Sequence, residues 1–151
     1  MLTQELKDRA FRILEIRDHS AAELREKLIR KGEDADAVDE CVTWLMSLGI
    51  VDDERYAGAI VRRYSAKGYG AGRIRTEFVK RGIDRSLWDT AFEELPEEKT
   101  ELDGMVEAKL ASAPDRKELK RFTDKLLRRG FSWSEIKEAL DRNRAEERLR
   151  D

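Results

Sequence analysis

The sequence contains one cysteine, Cys41, and two prolines among its 151 residues. A lone cysteine excludes an internal disulfide and leaves no partner thiolate for a zinc site. The chain also lacks any run in which Val, Ile or Thr alternate with polar residues, the pattern that is typical of a β-strand. We therefore expect an all-α protein whose helices are rarely interrupted by proline.

Long apolar runs are missing as well. No stretch of the sequence could cross a membrane, and residues 1–8 lack the apolar core of a secretion signal. A strong charge of one sign is also absent, since the formal net charge is −2. The whole molecule is therefore not a polycation, and we expect a cytoplasmic protein.

Residues with the chemistry of an active site are scarce. The single histidine, His19, has no nearby Cys and no Asp–Ser pair with which to form a catalytic triad, so we interpret it as a linker residue. Asp52, Asp53 and Glu54 fall within one helical turn, where acidic residues more often cap a helix than bind a metal. We expect no enzymatic activity, no metal site and no cofactor.

One short pattern recurs three times: two apolar residues four positions apart, then a basic pair, then a glycine. In the central copy these residues are Ile74, Phe78, Lys80, Arg81 and Gly82. The flanking copies keep the same register: Leu24, Leu28, Arg30, Lys31 and Gly32 before it, and Phe122, Leu126, Arg128, Arg129 and Gly130 after it. A period of about 50 residues that is carried by helices indicates a helical repeat array.

We expect three tandem three-helix repeats in an elongated, curved array. The predicted repeats are residues 1–49, 50–95 and 96–151, the last with a charged C-terminal helix. Residues 96–101 are interpreted as an acidic joint. We expect residues 142–151 either to fray or to extend as a solvated helix.

Capping residues mark several helix starts. Ser20 and Glu23 form a predicted capping box, in which each side chain accepts a hydrogen bond from the other residue's backbone N–H. Ser132 and Glu135 repeat that box. Asp34 or Asp36 is predicted to cap the third helix of the chain.

The aromatic residues divide into inward and outward positions. Tyr56 and Tyr64 lie two helical turns apart and are predicted to face inward. Trp44 and Trp88 are predicted to pack in the core or against a helix start. Trp133, at the first position of its helix, is predicted to be the most exposed tryptophan.

Charge is distributed unevenly along the chain. Residues 55–85 contain nine basic and two acidic residues, a net of +7, whereas residues 86–107 contain one basic and eight acidic residues, a net of −7. Such a division favours an oriented approach to a charged partner. The alternative is a solvated surface whose two parts neutralise each other.

The glycine-rich loop at residues 67–72 precedes a predicted helix. Its free amides could receive a backbone phosphate or a carboxylate of a partner. A nucleotide-binding fold is excluded, because no strand precedes the loop and no Gly-Lys-Ser/Thr follows. Tyr69 either lacks local packing and anchors a partner, or folds back onto the core in a tight turn.

Arg73, Glu77 and Lys80 are predicted to share one solvent-facing side of the central helix, with Arg81 beside them. These residues could bind a partner. They could also form ion pairs within the helix, where such pairs contribute little to stability.

Four stretches carry a family resemblance: residues 20–32, 52–57, 67–75 and 126–131. Their order and spacing resemble the bacterial regulatory protein RecX family, which modulates the recombinase RecA. The resemblance covers nearly the whole chain, and Asp-Asp-Glu-Arg-Tyr-Ala at residues 52–57 is its most specific piece. It implies tandem three-helix repeats that lie in the groove of the RecA–single-stranded-DNA filament and limit its growth, without catalytic residues.

The repeat register and the resemblance together predict a partner-binding surface. Its candidate residues are Arg62, Arg63, Lys67, Tyr69, Arg73, Arg75, Lys80 and Arg81, extended by Lys31, Arg128 and Arg129. We expect a monomer that binds the RecA filament, with weak direct DNA binding left open. Charge reversal at Arg73 and Lys80 is expected to abolish regulation while stability stays nearly unchanged.

Two other functions remain open from the residues alone. Repeated short helices with tight glycine turns superficially resemble helix-turn-helix DNA-binding units. The acidic total charge and the absence of a dimerisation segment argue against a sequence-specific DNA reader. The other alternative is a helical scaffold that binds a different protein.

Overall fold

The computed structural model describes residues 2–95 and 101–150, and every regular element in those ranges is helical, which confirms the all-α prediction. The elements are α1 (Gln4–Ile16), α2 (Ala21–Arg30), α3 (Ala35–Ser47), α4 (Asp53–Ala66), α5 (Ala71–Lys80), α6 (Trp88–Phe92), α7 (Glu101–Ala111), α8 (Arg116–Arg128) and α9 (Trp133–Arg150), with a 3-10 turn at Arg85–Leu87 before α6. Among these described helices none has the length and apolar content needed to cross a membrane. Most of the predicted acidic joint, residues 96–100, lies outside the described residues.

The middle helix of each group of three ends in the same way. Gly32, Gly82 and Gly130 have φ angles of 90°, 69° and 97°, a left-handed conformation that glycine adopts without steric cost. The residue after each glycine donates its N–H to a carbonyl five positions back, at 3.2 Å on Leu28, 2.9 Å on Phe78 and 3.2 Å on Leu126. The repeated basic-basic-glycine pattern therefore marks a repeated helix ending, in which the cations also favour the negative end of the helix dipole.

The predicted capping residues are confirmed. Ser20 and Glu23 form a complete capping box at α2, and Ser132 and Glu135 exchange hydrogen bonds of 3.0 and 3.1 Å at α9. Asp34, rather than the alternative two residues on, accepts from the Ala37 N–H at the start of α3.

Contacts between Cα atoms divide the chain into two compact units. Unit 1 comprises Met1–Ala59 and Glu77–Phe92, and unit 2 comprises Ile60–Thr76 and Glu93–Asp151. The division falls inside α4 and inside α5. The units therefore do not follow the sequence repeats, because each of these two helices contributes residues to both.

One buried apolar cluster of unit 1 is formed by the first three helices. Buried apolar side chains come from α1 (Leu6, Ala10, Ile13), α2 (Leu24, Leu28) and α3 (Val38, Cys41, Val42, Leu45), with Val51 beyond them. Each large aliphatic side chain buried in this way contributes roughly 1.5–3 kcal/mol by leaving water.

A buried apolar cluster of unit 2 is built from the last three helices, with Leu102 and Val106 on α7, Leu126 on α8, and Ile136, Ala139 and Leu140 on α9. Helix α9 continues to Arg150, so of the two predicted alternatives the C-terminal segment takes the extended helix. The first turn of this C-terminal segment, which begins at residue 142, is less solvated than expected. Asn143 is buried and donates to the Ala139 carbonyl at 2.7 Å, and Arg142 pairs with Asp103 at 2.9 Å.

Candidate partner-binding surface

An aromatic and arginine cluster lies at the α4–α5 loop in unit 2. The rings of Tyr64 and Tyr69 are 5.7 Å apart at an angle of 54°. The guanidinium carbon of Arg73 lies 4.7 Å from the Tyr69 ring centre, and that of Arg129 lies 5.1 Å from it. Cations over an aromatic face are attracted by its negative quadrupole, so these contacts hold Tyr69 against its own unit. Tyr69 is half-buried and folded back, so of the two alternatives predicted for it the structure shows the tight turn rather than the lack of local packing.

The glycine loop is closed by backbone hydrogen bonds from the end of α8. The N–H of Gly70 donates to the Arg129 carbonyl at 2.9 Å, and the N–H of Gly72 donates to the Gly130 carbonyl at 3.0 Å. The Arg129 guanidinium also donates to the Lys67 carbonyl at 3.1 Å. Because these two amides are occupied, the prediction that the loop offers them to a phosphate or carboxylate is wrong.

A second polar network lies in unit 1, around the C-terminal end of α5. Arg81 pairs with Glu77 at 3.2 Å and donates to the hydroxyl of Tyr56. Arg17 donates to the same hydroxyl at 3.3 Å and pairs with Glu23 at 3.0 Å. Glu77 is only 4% exposed, so the prediction that it shares a solvent face with Lys80 is wrong. The ion pair between Glu77 and Arg81 within the helix is confirmed.

Two acidic residues at the start of α4 cap helices. Asp52 accepts from the Arg55 N–H at 3.0 Å and caps its own helix, whereas Asp53 accepts from the Ala21 N–H at 2.9 Å and caps α2. Burial raises the pKa of Asp53, and the hydrogen bond from Ala21 opposes that rise. Burial also acts to raise the pKa of Glu23, but hydrogen bonds from Ser20 and Arg17 outweigh it, and that pKa is lowered.

His19 lies in the α1–α2 connection, as the sequence predicts, but it is 2% exposed. Its Nδ1 donates to the Arg17 carbonyl at 2.9 Å, and its Nε2 has no hydrogen-bond partner among the described residues. Burial lowers the pKa of this imidazole. In residues 2–95 and 101–150, no group of His, Cys, Asp and Glu is placed to hold a metal ion.

The eleven candidate residues therefore fall into two groups. Tyr69, Arg73, Arg81 and Arg129 contact other residues of their own unit and help to build it. The exposed side chains are Lys31, Arg62, Arg63, Lys67, Arg75, Lys80 and Arg128, of which Arg62 forms an ion pair with Glu94 at 3.1 Å. The structure brings Tyr69, Arg73 and Arg129 together with Lys67. It also adds Tyr64, which only its inward helical spacing could have indicated.

These features define a class: an all-helical repeat protein whose three-helix groups share one helix ending and expose cations from the α4–α5 stretch. Two family models match the chain. The first three-helix domain of RecX matches residues 7–45, and the second three-helix domain of RecX matches residues 52–91.

Similar proteins extend this match along the chain. A regulatory protein RecX from Vibrio vulnificus is 35% identical over 137 residues, covering 89% of this chain and 90% of its relative. One from Vibrio campbellii is 33% identical over 141 residues, covering 91% of each. The chain belongs to the RecX family, and its similarity to these regulatory proteins supports a regulatory role for it.

Two solved structures share the fold. The crystal structure of RecX from Lactobacillus salivarius has a TM-score of 0.77 at 21% identity and covers 93% of this chain and 96% of its own. A second crystal structure of a regulatory protein RecX has a TM-score of 0.76 at 22% identity and covers 91% of this chain and 72% of its own.

Proposed function

We propose that this chain is a non-enzymatic regulator of the recombinase RecA, which binds the RecA filament on single-stranded DNA and limits its growth and activities. Recombination, DNA repair and control of the SOS response would be affected through RecA. The observation that carries the proposal is the 35% identity to a regulatory protein RecX over about nine-tenths of both chains. The resemblance of the four sequence stretches points to the same partner.

The exposed cations supply the chemistry for this role. Arg63 and Lys67 on and beyond α4, and Arg75 and Lys80 on α5, all have exposed side chains. A nucleoprotein filament presents phosphates and carboxylates, and exposed cations speed and orient the approach to such a surface. Lys31 and Arg128 extend this set at the matching positions of the other repeats.

The half-buried members of the candidate set have a different role. Arg73 and Arg129 contact Tyr69, and Arg81 contacts Tyr56 and Glu77. They stabilise the loops and helix ends from which the exposed cations project. In the proposed mechanism, a bound monomer uses its three repeats, residues 1–49, 50–95 and 96–151, to contact neighbouring RecA protomers. It thereby blocks subunit addition or slows the conformational cycle that accompanies ATP hydrolysis.

The exposed cations give a sharper test than Arg73. Because the Arg73 guanidinium lies 4.7 Å from the Tyr69 ring centre, we now expect charge reversal at Arg73 to cost stability, contrary to the expectation from sequence. The test variant is therefore Arg63→Glu with Lys80→Glu. Its matched control is Arg12→Glu with Arg121→Glu, which changes the net charge equally at two exposed positions outside the candidate set.

Binding is measured by fluorescence anisotropy on RecA filaments assembled on a labelled oligo(dT) with a non-hydrolysable ATP analogue. We expect the test variant to bind at least about tenfold more weakly and the control to bind within about twofold of the unaltered protein. Thermal unfolding monitored by circular dichroism checks that both variants are folded. Equal binding by the folded test variant and its control would contradict the assignment of this surface.

A further inference from the structure

A groove between α8 and α9 in unit 2 has no place in the proposed function. Its volume is about 470 Å³. The floor is apolar in character: Leu140 and Thr123 are 7% and 8% exposed, and Leu119 is half-buried. Trp133 lines the same groove with 56% of its surface exposed, which confirms the outward position predicted from sequence. An indole left in water beside an aliphatic floor is a feature of binding sites for apolar side chains.

The rim of the groove is strongly basic. Arg116 and Lys120 line it from α8, and Lys137 and Arg144 line it from α9, against one acid, Asp141. The four cationic side chains are exposed. These lining residues carry a net charge of +3, which Asp124, 3.9 Å from Lys120, lowers to +2, on a molecule whose net charge is −2.

We propose that this groove binds an acidic peptide segment of a protein partner, with aliphatic side chains spaced along one face of a helix. The carboxylates would pair with the rim cations, and the aliphatic side chains would pack on Leu119, Leu140 and Trp133. An amphipathic helix laid between two helices buries its apolar face in this way, with anchors three and four residues apart.

The floor favours a peptide over a nucleic acid. Single-stranded nucleic acid binds through a series of aromatic platforms on which successive bases stack. The described lining of this groove has a single aromatic side chain, Trp133, beside aliphatic leucines. Leucine side chains accept aliphatic anchors, and they offer a base neither a stacking plane nor a hydrogen bond.

A second copy of this chain is a poorer occupant. The chain's own acidic stretch, residues 86–107, uses apolar side chains within its own fold, since Leu102 is 5% exposed and belongs to the core of unit 2. Asp103 in the same stretch is 8% exposed and pairs with Arg142. These residues would have to leave their own unit to enter the groove of another copy.

The groove residues are separate from those assigned to the proposed function, as none of the eleven candidate residues lines it. The binding test uses the full chain and a fluorescein-labelled helical peptide of Glu, Ala and Leu, with leucines every third and fourth residue. A second peptide replaces each Leu by Ser at the same charge. The variants are Lys120→Glu with Lys137→Glu, and Trp133→Ala, with Arg12→Glu and Arg121→Glu as the matched control.

We expect the leucine peptide to bind at physiological ionic strength and the serine peptide to bind at least about tenfold more weakly. The groove charge reversal and Trp133→Ala should each weaken binding at least about tenfold, while the control stays within about twofold.

Equal affinity for both peptides would overturn the proposal, because it would show that the peptides bind through charge alone and that their leucines do not enter the groove. Displacement of the peptide by oligo(dT) at a lower concentration would assign the groove to nucleic acid instead. Self-association lost in the groove variant would assign it to a second copy. The measurement contains no RecA, so its result leaves the proposed function untouched.

Discussion

At the residue scale, Gly70 packs closely against the backbone around Gly130 in unit 2. A Cβ atom added at Gly70 would lie 2.6 Å from the carbonyl carbon and oxygen of Gly130. Both neighbours are backbone atoms, which cannot turn aside as a flexible side chain can. Gly70→Ala should therefore separate the α4–α5 loop from the end of α8 and break the hydrogen bond to Arg129.

We expect Gly70→Ala to lower the free energy of unfolding by about 1–3 kcal/mol, the usual cost of forcing an extra methyl group into a packed site. The matched control is Gly104→Ala in α7, where a Cβ would meet nothing within 4 Å. That substitution should raise stability by roughly 0.5–1 kcal/mol, because alanine is the better helix former. Urea unfolding followed by circular dichroism distinguishes the two, and equal effects would contradict the close approach.

His19 should make stability depend on pH. Burial favours its neutral imidazole, so its pKa in the folded chain lies below the value of 6.5 in the unfolded chain. Positive charge on Arg17 and Lys27 also lowers this pKa, while the hydrogen bond to the Arg17 carbonyl and the charge of Glu23 oppose the shift. The unfolded state therefore binds the proton more readily, and acid favours unfolding. The contribution is fully present above pH 6.5 and is lost as the pH falls from 6.5 toward the lower pKa of the folded state.

We expect the unfolding free energy to fall on acidification by at most about 1.4 kcal/mol per pH unit from this group. His19→Gln should show a flatter profile between about pH 5 and pH 7, whatever its stability at neutral pH, because it removes the only histidine of the chain. Parallel profiles for the two proteins would show that the imidazole titrates equally in the folded and unfolded states.

At the scale of single helices, two capping boxes of the same type lie in different surroundings. Ser20 is fully buried, and its hydroxyl accepts from the Glu23 N–H and also donates to the Arg81 carbonyl at the end of α5. Ser132 is exposed, and its hydroxyl accepts from the Glu135 N–H. The first box therefore joins two helices, whereas the second caps one.

We expect Ser132→Ala to cost about 1 kcal/mol, the usual value of a capping hydrogen bond. Ser20→Ala should cost roughly 1–3 kcal/mol more, because it also leaves the part-buried Arg81 carbonyl without its donor. Thermal and urea unfolding of both variants measure the difference. Equal losses would mean that the bond to Arg81 adds nothing to stability.

Local sequence patterns predicted the helices but not the contacts between them. Spacing and capping rules were enough for the box at Ser20 and Glu23 and for the helix ending at Gly82, since each depends on residues within one or two turns. The cap of α2 by Asp53 joins residues 32 positions apart in the sequence. No local rule distinguishes that role from capping its own helix, which Asp52 performs.

The candidate site was predictable only in part, for the same reason. Charge density along residues 55–85 indicated a basic surface, and Lys80 is exposed as that pattern requires. The burial of Glu77 and the stacking of Arg73 on Tyr69 depend on tertiary neighbours. A charged side chain on a helix looks the same in the sequence whether it faces a partner or stabilises its own unit.

At the scale of the whole molecule, the candidate cations are divided between the two units: Lys31 and Lys80 belong to unit 1, whereas Arg63 and Lys67 belong to unit 2. Helices α4 and α5 each contribute to both units. We propose that RecA is regulated through both sets of cations together. Neutralising either set should then weaken regulation, and neutralising both should weaken it most.

The most direct test of the central claim is the rate of single-stranded-DNA-dependent ATP hydrolysis by the RecA of the same organism, titrated with the unaltered chain. We predict inhibition when the chain is present at a small fraction of the RecA concentration, because a bound regulator stops the growth of a filament of many protomers. Full hydrolysis at equal concentrations, with the chain folded by circular dichroism, would contradict the account. The family relationship would then describe the fold, and the exposed cations would require a different partner.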